Sequence, residues 1–424
     1  MKKVLLISHY FPPRPSIGSI RPGGLAKYLP KFGWEPVVLT TTLPSQPDSK
    51  YKVIQTKYHE DFSVRIKRML GMNPELRLDQ QAKPIVIKHG KDSLLPKLME
   101  FVYGILNYPD EMKGWMPFAI PAGAEIIKGE KIDAILSSSH PVTAHCIAAK
   151  LSHKFQIPWV ADLRDLWTQN PYYQYGPIRK LFEKNLELKT FRQASALVTT
   201  SEPWANELRQ MHKKENTFSI TSGFDPELVN PSSLTKKFTI THTGRLYDGK
   251  RDPSVLFEAI QKLIQNKSIA PENVQLRFWG SKNHWLDQEI KKHGLENVAF
   301  QFGMTSREEA LQHQRESQIL LLLNWNTEKE LGTYTGKIFE YLAAKRPILA
   351  IGPSEGVVSE LLSKTSAGRQ ASNLDELMII LLDYYTQYTN SGSVTYTGNT
   401  EEVNKFSQLE TAKNFASVLD RISK

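Results

Sequence analysis

The sequence predicts an α/β fold built from two doubly wound domains with parallel sheets. Short apolar runs typical of buried strands alternate with helical patterns along nearly all of the 424 residues. The alternation forms two series, separated by a polar segment with two prolines at about 225–235. Since the length is also a prior for more than one domain, both observations favour a two-domain chain.

The first series opens the chain and contains six predicted strands with helices between them. The strands are expected at 3–8, 36–41, 134–138, 159–163, 196–200 and 218–221, and the helices at about 18–32, 141–154, 176–193 and 203–212. We therefore predict an N-terminal Rossmann-like domain at 1–225. It is interrupted by a basic insertion at about 50–108.

The second series predicts a C-terminal Rossmann-like domain at 236–400. Its strands are expected at 238–243, 274–279, 298–302, 319–323 and 348–351, and its helices at about 253–266, 285–293, 306–315, 336–345 and 355–363. Apolar residues recur at helical spacing in 401–424, which predicts a final helix.

A glycine-rich turn followed by a short helix and a buried strand, at 332–352, predicts an anion site. Two glycines leave room for a phosphate beside backbone amides, two threonines can donate hydrogen bonds, and a lysine adds charge in the first helical turn. These residues are Gly332, Gly336, Thr333, Thr335 and Lys337. Glu340 lies one turn further on, where its carboxylate can accept two sugar hydroxyls. An exposed Lys–Glu pair on an ordinary helix is the alternative.

Both series begin with a strand that runs into a loop at the carboxyl end of its sheet, where ligands bind in open α/β folds. The second loop brings Gly244, Arg245 and Lys250 to the mouth of the C-terminal sheet, beside the predicted phosphate site. The first loop contains Gly18 and Arg21. Ordinary solvated loop charge is the alternative for Arg245 and Lys250.

Two further groups of polar residues follow predicted strands of the first domain. His140 follows three serines and precedes Pro141, so we expect its ring to project from the sheet edge; a loop histidine without a role is the alternative. Asp162 is expected to form an internal salt bridge or to stabilise a turn. The spacing of the carboxylates does not indicate a two-carboxylate hydrolase.

The composition favours some classes of ligand and excludes some kinds of site. Lys and Arg total 54 against 44 acidic residues, a net charge of +10 that suits phosphate ligands, anionic lipid or nucleic acid. Nucleic-acid binding is disfavoured because no basic stripe is interleaved with aromatic residues. The single Cys146 excludes an intramolecular disulfide and a zinc site with several thiolates.

The same composition predicts a cytoplasmic protein. Apolar runs stay well short of the roughly 20 residues that span a bilayer, and the apolar start of the chain is too short for a signal peptide. The basic, amphipathic stretch within 50–108 leaves two alternatives open. It covers a core, or it lies on anionic lipid at the inner face of the membrane.

The chain resembles family-4 retaining glycosyltransferases of the GT-B fold, in particular bacterial polysaccharide-type members. The resemblance covers nearly the whole length and depends on the order of several short motifs. These are Phe11-Pro-Pro…Gly18…Arg21, Ser137-Ser-Ser-His140-Pro141, Asp162-Leu-Arg164-Asp165-Leu-Trp167, Thr200-Ser-Glu202, Ser222-Gly-Phe-Asp225, Gly244-Arg245…Lys250 and Gly332…Lys337…Glu340.

The resemblance implies two domains facing across a cleft, with a nucleotide-diphosphosugar bound mostly by the C-terminal one. The N-terminal domain at 1–225 is then the acceptor side, with Gly18, Arg21 and Asp165 as the residues expected there. Arg245 and Lys250 match the cations that neutralise the diphosphate, so neither a metal nor another cofactor is required. Glu340 matches a glutamate that holds the ribose, and His140 matches a histidine near the donor sugar. The family's first signature glutamate falls on Gly332, so that contact is missing here.

The resemblance also implies the reaction. A sugar is transferred with retention to a hydroxyl of a glycan or lipid-linked acceptor in cell-surface polysaccharide synthesis, and the departing phosphate takes the acceptor proton. Backbone amides of 332–336, or Glu330, are candidates to replace the missing glutamate. The terminal helix at 401–424 is expected to return to the N-terminal domain.

Two other functions remain open for this chain. One is a nucleotide-sugar epimerase of the same fold, and the other is a catalytically silent nucleotide-sugar binding protein, which the missing glutamate at 332 favours. Donor turnover separates the three. A transferase moves the sugar to an acceptor, an epimerase isomerises the donor, and a silent protein binds it unchanged.

Overall fold

The computed structural model describes residues 1–59, 107–173, 175–228, 232–247, 249–324 and 330–423. They form two compact units, Met1–Thr221 with Ala412–Lys424, and Ser222–Thr411. The first unit ends four residues before the limit of 225 predicted from the sequence. Most of the predicted basic insertion, including its amphipathic part, lies outside the described residues.

The first unit contains a seven-stranded parallel sheet in the order β3-β2-β1-β4-β5-β6-β7. The strands are β1 (Lys2–Ile7), β2 (Trp34–Thr41), β3 (Lys52–Thr56), β4 (Ala134–Ser139), β5 (Trp159–Leu163), β6 (Ala196–Thr199) and β7 (Thr217–Ser219). The helices are α1 (Ile17–Tyr28), α2 (Met116–Gly129), α3 (Thr143–Phe155), α4 (Pro177–Phe191) and α5 (Glu202–His212). The central strands β1 and β4 are buried on both faces, which is why β1 contains the apolar run Val4–Ile7 and β4 begins with Ala134-Ile-Leu before its three buried serines.

The second unit contains a six-stranded parallel sheet in the order β10-β9-β8-β11-β12-β13. The strands are β8 (Phe238–Thr243), β9 (Val274–Trp279), β10 (Ala299–Gly303), β11 (Ile319–Leu323), β12 (Ile348–Ile351) and β13 (Gly368–Ala371). The helices are α6 (Ser254–Gln265), α7 (His284–Lys292), α8 (Arg307–Glu316), α9 (Gly336–Ala344), α10 (Val357–Thr365), α11 (Leu374–Ser391), α12 (Thr400–Asn404) and α13 (Gln408–Ile422). Helix α13 begins in this unit and continues into the segment that belongs to the first.

The predicted fold class, two Rossmann-like parallel-sheet domains, is confirmed. Four elements were not predicted, namely β3, α2, β13 and α11. Helix α2 contains Pro121 in its interior, which normally interrupts a helix. Strand β13 is the four-residue sequence Gly-Arg-Gln-Ala at a sheet edge, which lacks an apolar run.

The strand orders define where ligands should bind. In the first sheet the order reverses between β1 and β4, and in the second it reverses between β8 and β11. Loops that leave adjacent strands at such a switch point diverge and open a crevice outside the carboxyl ends of the strands. The residues after β1, β4, β8 and β11 therefore include the candidates for each unit's site.

Candidate functional site

Lys337 lies at the switch point of the second sheet, in the first turn of α9. Its Nζ is 3.2 Å from Nε2 of His242, a buried residue near the end of β8. The other ring nitrogen, Nδ1, is 3.1 Å from the carbonyl oxygen of Leu321 in β11. Because a carbonyl only accepts, Nδ1 carries the proton and Nε2 accepts from the lysine. His242 thus orients the Lys337 ammonium.

The cluster around Lys337 carries excess positive charge. Burial, and then the neighbouring Arg251 guanidinium, hold the pKa of Lys337 well below its usual range, while Glu340 acts in the opposite direction. Burial, and then Lys337 and Arg251, hold the pKa of His242 well below its ordinary value. Like charges brought together with little solvent are costly unless an anion binds among them.

The start of α9 adds backbone donors to this cluster. Thr335 precedes the helix, but its hydroxyl does not cap the first N–H groups and has no hydrogen-bond partner. An uncapped helix N-terminus offers N–H groups and the positive end of the helix dipole to an anion. Gly336 is exposed at the first position of the helix, whereas Gly332 is buried in the preceding turn.

Gly244, at the end of β8, packs directly against the Lys337 side chain. Its φ is +108°, and a Cβ built there would lie 2.6 Å from Cε and 2.9 Å from Nζ of Lys337. Neither the backbone angle nor the space suits another residue. The structure therefore brings together Gly244 and Lys337, two residues that were predicted from separate motifs.

Three cations lie on the loop that follows β8. Arg245 and Lys250 have exposed side chains, whereas Arg251 is half-buried near Lys337. The Nε of Arg251 is buried without a hydrogen-bond partner, and its guanidinium stands 4.8 Å from the ring centroid of Tyr247. Burial lowers its pKa. The sequence prediction did not include Arg251, although it directly follows Lys250.

Glu340 is held at the same end of α9. Its side chain is 26% exposed, and its oxygens are each 3.4 Å from a donor on α8, one from Arg307 and one from Gln314. Gln314 also donates to Thr243 at the end of β8, at 3.0 Å. These long contacts leave the carboxylate with unused acceptor capacity, which suits hydroxyl donors of a ligand.

The turn before α9 contains three buried oxygens without hydrogen-bond partners. They belong to Glu330 (Oε1), Thr333 and Thr335. Burial raises the pKa of Glu330 to about 7. Buried polar atoms are nearly always paired in native structures, so three orphans in one turn indicate that a polar ligand belongs there.

In the first unit the residues predicted at the sheet edge have different environments. His140 is exposed immediately after β4, and Asp165 is exposed two residues after β5. Arg164 donates to the carbonyl oxygens of Ser139, His140 and Gly18. Arg164 thus fixes the backbone around His140 and Gly18 at the carboxyl edge of the sheet.

Arg21 corrects the sequence prediction, which placed it on the acceptor side. Its side chain is buried and pairs with both oxygens of Asp162, at 3.0 and 2.8 Å. The guanidinium also donates to the carbonyl oxygens of Ile220 and Thr221. A buried guanidinium with these partners joins α1, β5 and the end of the unit, so Arg21 is structural. The expected internal pairing of Asp162 is confirmed.

His9 is a further buried residue that the prediction did not single out. Its ring lies among those of Tyr10, Tyr58 and Trp115, and both ring nitrogens lack a hydrogen-bond partner. Burial, and then Arg14, lower its pKa to about 3, so the ring is neutral. Its position just after β1, at the carboxyl end of the sheet, was the sequence signal that could have identified it.

The described part of the chain lacks two features, a cluster of metal ligands and a membrane-spanning helix. Within it, no group of three or more His, Cys, Asp or Glu side chains is arranged to hold a metal ion. No helix among the same residues is long and apolar enough to cross a membrane. The expectation that no metal is required stays a prediction.

Comparisons with known proteins give a family match for part of the chain and a fold match for nearly all of it. The model of glycosyltransferase family 4 matches residues 24–228. Anabaena HepE, solved with UDP and glucose, is 14% identical with a TM-score of 0.62, covering 99% of this chain and 100% of that one. Sucrose-phosphate synthase from Thermosynechococcus elongatus is also 14% identical, with a TM-score of 0.63 and 99% of both chains covered. The match to the family-4 model covers slightly under half of the chain.

One further structural neighbour carries the name of a different class of enzyme. A Listeria monocytogenes protein named as a UDP-N-acetylglucosamine 2-epimerase is 13% identical, with a TM-score of 0.52 and 99% and 96% of the two chains covered. At such identities the solved structures establish a shared fold of two Rossmann-like domains. No curated protein matches the chain.

Proposed function

We propose that this protein is a glycosyltransferase that moves a sugar, with retention, from a nucleotide-diphosphosugar to a hydroxyl of a glycan or lipid-linked acceptor in cell-surface polysaccharide synthesis. The observation that supports the donor class is the pair of cationic side chains Lys337 and Arg251, with the neutral His242 ring against the lysine, beside the uncapped start of α9. HepE, which shares the fold, has been solved with UDP-glucose. A diphosphate matches both the charge and the N–H donors.

In this proposal the second unit stabilises the leaving group. Lys337 and the first N–H groups of α9 bind the diphosphate, and Gly244 gives the lysine its space. The exposed Arg245 and Lys250 fold over the phosphates from the loop after β8. As the glycosidic bond breaks, negative charge grows on the phosphate oxygens, where fixed cations and N–H groups stabilise it most, without a metal.

The rest of the donor is bound by oxygen acceptors and donors around α9. Glu340 accepts hydrogen bonds from the ribose hydroxyls, since its carboxylate lies one turn after Lys337. Thr333, Thr335 and Glu330, whose buried oxygens have no partners, bind sugar hydroxyls. Glu330 would then replace the glutamate that the family pattern has at position 332.

The first unit contributes the acceptor side in this proposal. His140 and Asp165 are exposed at its carboxyl edge, and the carbonyl oxygen of Gly18 is fixed by Arg164. The acceptor hydroxyl attacks from the face that the phosphate leaves, and the departing phosphate oxygen takes the hydroxyl proton. His140 orients the reacting sugar, so no side chain has to act as the base.

A panel of nucleotides and nucleotide-sugars, screened by thermal shift, tests the donor class. A ligand at 100 times its Kd stabilises the folded protein by about 2.7 kcal/mol. The best donor is then incubated with and without an acceptor, and the anomeric protons are followed by NMR. Transfer with retained configuration is expected. An isomerised donor would indicate an epimerase, and binding without turnover would indicate a silent binding protein.

A further inference from the structure

Helix α4 turns its two acidic residues inward. Glu183 accepts hydrogen bonds from Trp167 Nε1 at 3.0 Å and from Arg179 Nε at 2.6 Å. Glu187 accepts from the Thr168 hydroxyl at 2.5 Å. Both glutamates are buried, and the helix contains no other acid. The outward face of α4 is therefore left without negative charge of its own.

That outward face combines apolar and cationic side chains. Ile178, Leu181 and Phe182 stand at helical spacing and are 68%, 61% and 60% exposed. The other exposed charges of the helix and its C-terminal flank are all positive: Lys180, Lys184, Lys189 and Arg192. Three large apolar side chains together on a surface usually mark an interaction site.

We infer that the outward face of α4 docks on an anionic lipid bilayer. A bilayer surface accepts apolar side chains below its headgroups and cations at the headgroups in one contact, which is the pattern on this face. Stable protein partners need about 800 Å² and some 20–30 residues on each side. Three apolar residues on one helix fall short of that, yet they suffice to anchor a helix on lipid.

Helix α11 also exposes apolar side chains, but the charges around them are negative. Ile379 and Leu382 on α11 are 65% and 40% exposed, in the same range as the apolar residues of α4. Their helix carries the acids Asp375, Glu376 and Asp383. Anionic lipid repels such a surface, so α11 provides a matched control on the same chain.

The inference rests on the proposed function only for the biological role of docking, which would bring the enzyme to a lipid-linked acceptor. The contact itself does not involve the donor site on the second unit. Donor binding measured by thermal shift without lipid therefore reports on the proposed function, whereas vesicle binding reports on the surface. Failure of either one can be recognised without the other.

The test is flotation of the full chain with phosphatidylcholine vesicles that contain or lack phosphatidylserine. We expect binding only to the anionic vesicles, and weaker binding at high salt. Leu181→Ser with Phe182→Ser should weaken binding by about tenfold or more per side chain. Lys184→Gln with Lys189→Gln should weaken it about fivefold per charge. The α11 pair Ile379→Ser with Leu382→Ser should bind like wild type.

Three results would overturn the inference. The wild type fails to bind anionic vesicles, the α4 variants bind as well as wild type, or the α11 control loses binding equally. Urea unfolding of the Leu181→Ser and Phe182→Ser variant provides a further check. A loss of stability as large as that of a core substitution would mean that another part of the chain covers this face.

Discussion

Replacing Gly244 by alanine tests whether Lys337 is the cation that meets the diphosphate. The backbone at Gly244 has a φ of +108°, where a side chain costs about 1–3 kcal/mol. The new Cβ would lie 2.6 Å from Cε of Lys337 and would push its ammonium away from His242. Because Cε and Nζ are the flexible end of the side chain, we expect the stability loss to stay near the backbone cost.

The effect on ligand affinity should be larger. A hydrogen bond between a charged group and its partner contributes about 1.5–3 kcal/mol, so displacing the Lys337 ammonium should weaken nucleoside diphosphate binding by about 10- to 150-fold. Isothermal titration measures this loss, and urea unfolding measures stability separately. Lys337→Met, which keeps much of the side chain and removes the charge, should show a similar loss of affinity.

The double variant decides whether the two residues act together. If Gly244→Ala acts through the ammonium, adding it to Lys337→Met should cost little further affinity. Affinity losses that simply add in the double variant would refute this reasoning. So would a Gly244→Ala protein that is folded and binds the nucleotide as tightly as wild type.

Three further predictions concern other side chains. Arg245→Ala or Lys250→Ala should lower turnover by roughly 10² without affecting folding, and normal steady-state rates in both would exclude the proposed phosphate contacts. Glu340→Gln should weaken nucleotide affinity by about 1.5–3 kcal/mol in a titration, whereas unchanged affinity would make Glu340 a surface residue. Burial holds the pKa of His9 and of His145 at about 3, below the ordinary 6.5, so their contribution to stability is complete above pH 6.5 and is lost as the pH falls toward 3. At pH 4.5 each histidine should have lowered the free energy of unfolding by about 2.7 kcal/mol relative to neutral pH. In His9→Phe, the decrease in the free energy of urea unfolding between neutral pH and pH 4.5 should be smaller by about that amount. The same decrease in that variant as in wild type would contradict the assignment.

The central strands and most of the helices could be predicted because their signals are local. Parallel strands buried on both faces, such as β11 with five consecutive buried apolar residues, are unbroken apolar runs. Edge strand β13 contains no such run, and its pairing with β12 depends on residues far along the chain. The turn before α9 could also be predicted from a local signal, because its glycines, threonines and lysine follow one another closely in the sequence.

The contacts that distinguish site cations from structural ones are not local. Arg21 follows a strand in a glycine-containing segment whose sequence resembles a ligand loop, but it lies in α1 and its partner Asp162 is 141 positions away. The sequence also cannot tell which of the adjacent Lys250 and Arg251 turns inward. His242 acquires its role from Lys337, a residue of another element. Each of these assignments depends on tertiary packing.

The most direct test of the proposed donor site is a crystal structure with the nucleoside diphosphate that the thermal-shift panel selects. The account predicts phosphate oxygens within about 3 Å of Lys337 Nζ and of the first N–H groups of α9, with the ribose hydroxyls on Glu340. A diphosphate bound elsewhere, with the Lys337 ammonium still held by His242 and no phosphate nearby, would contradict it.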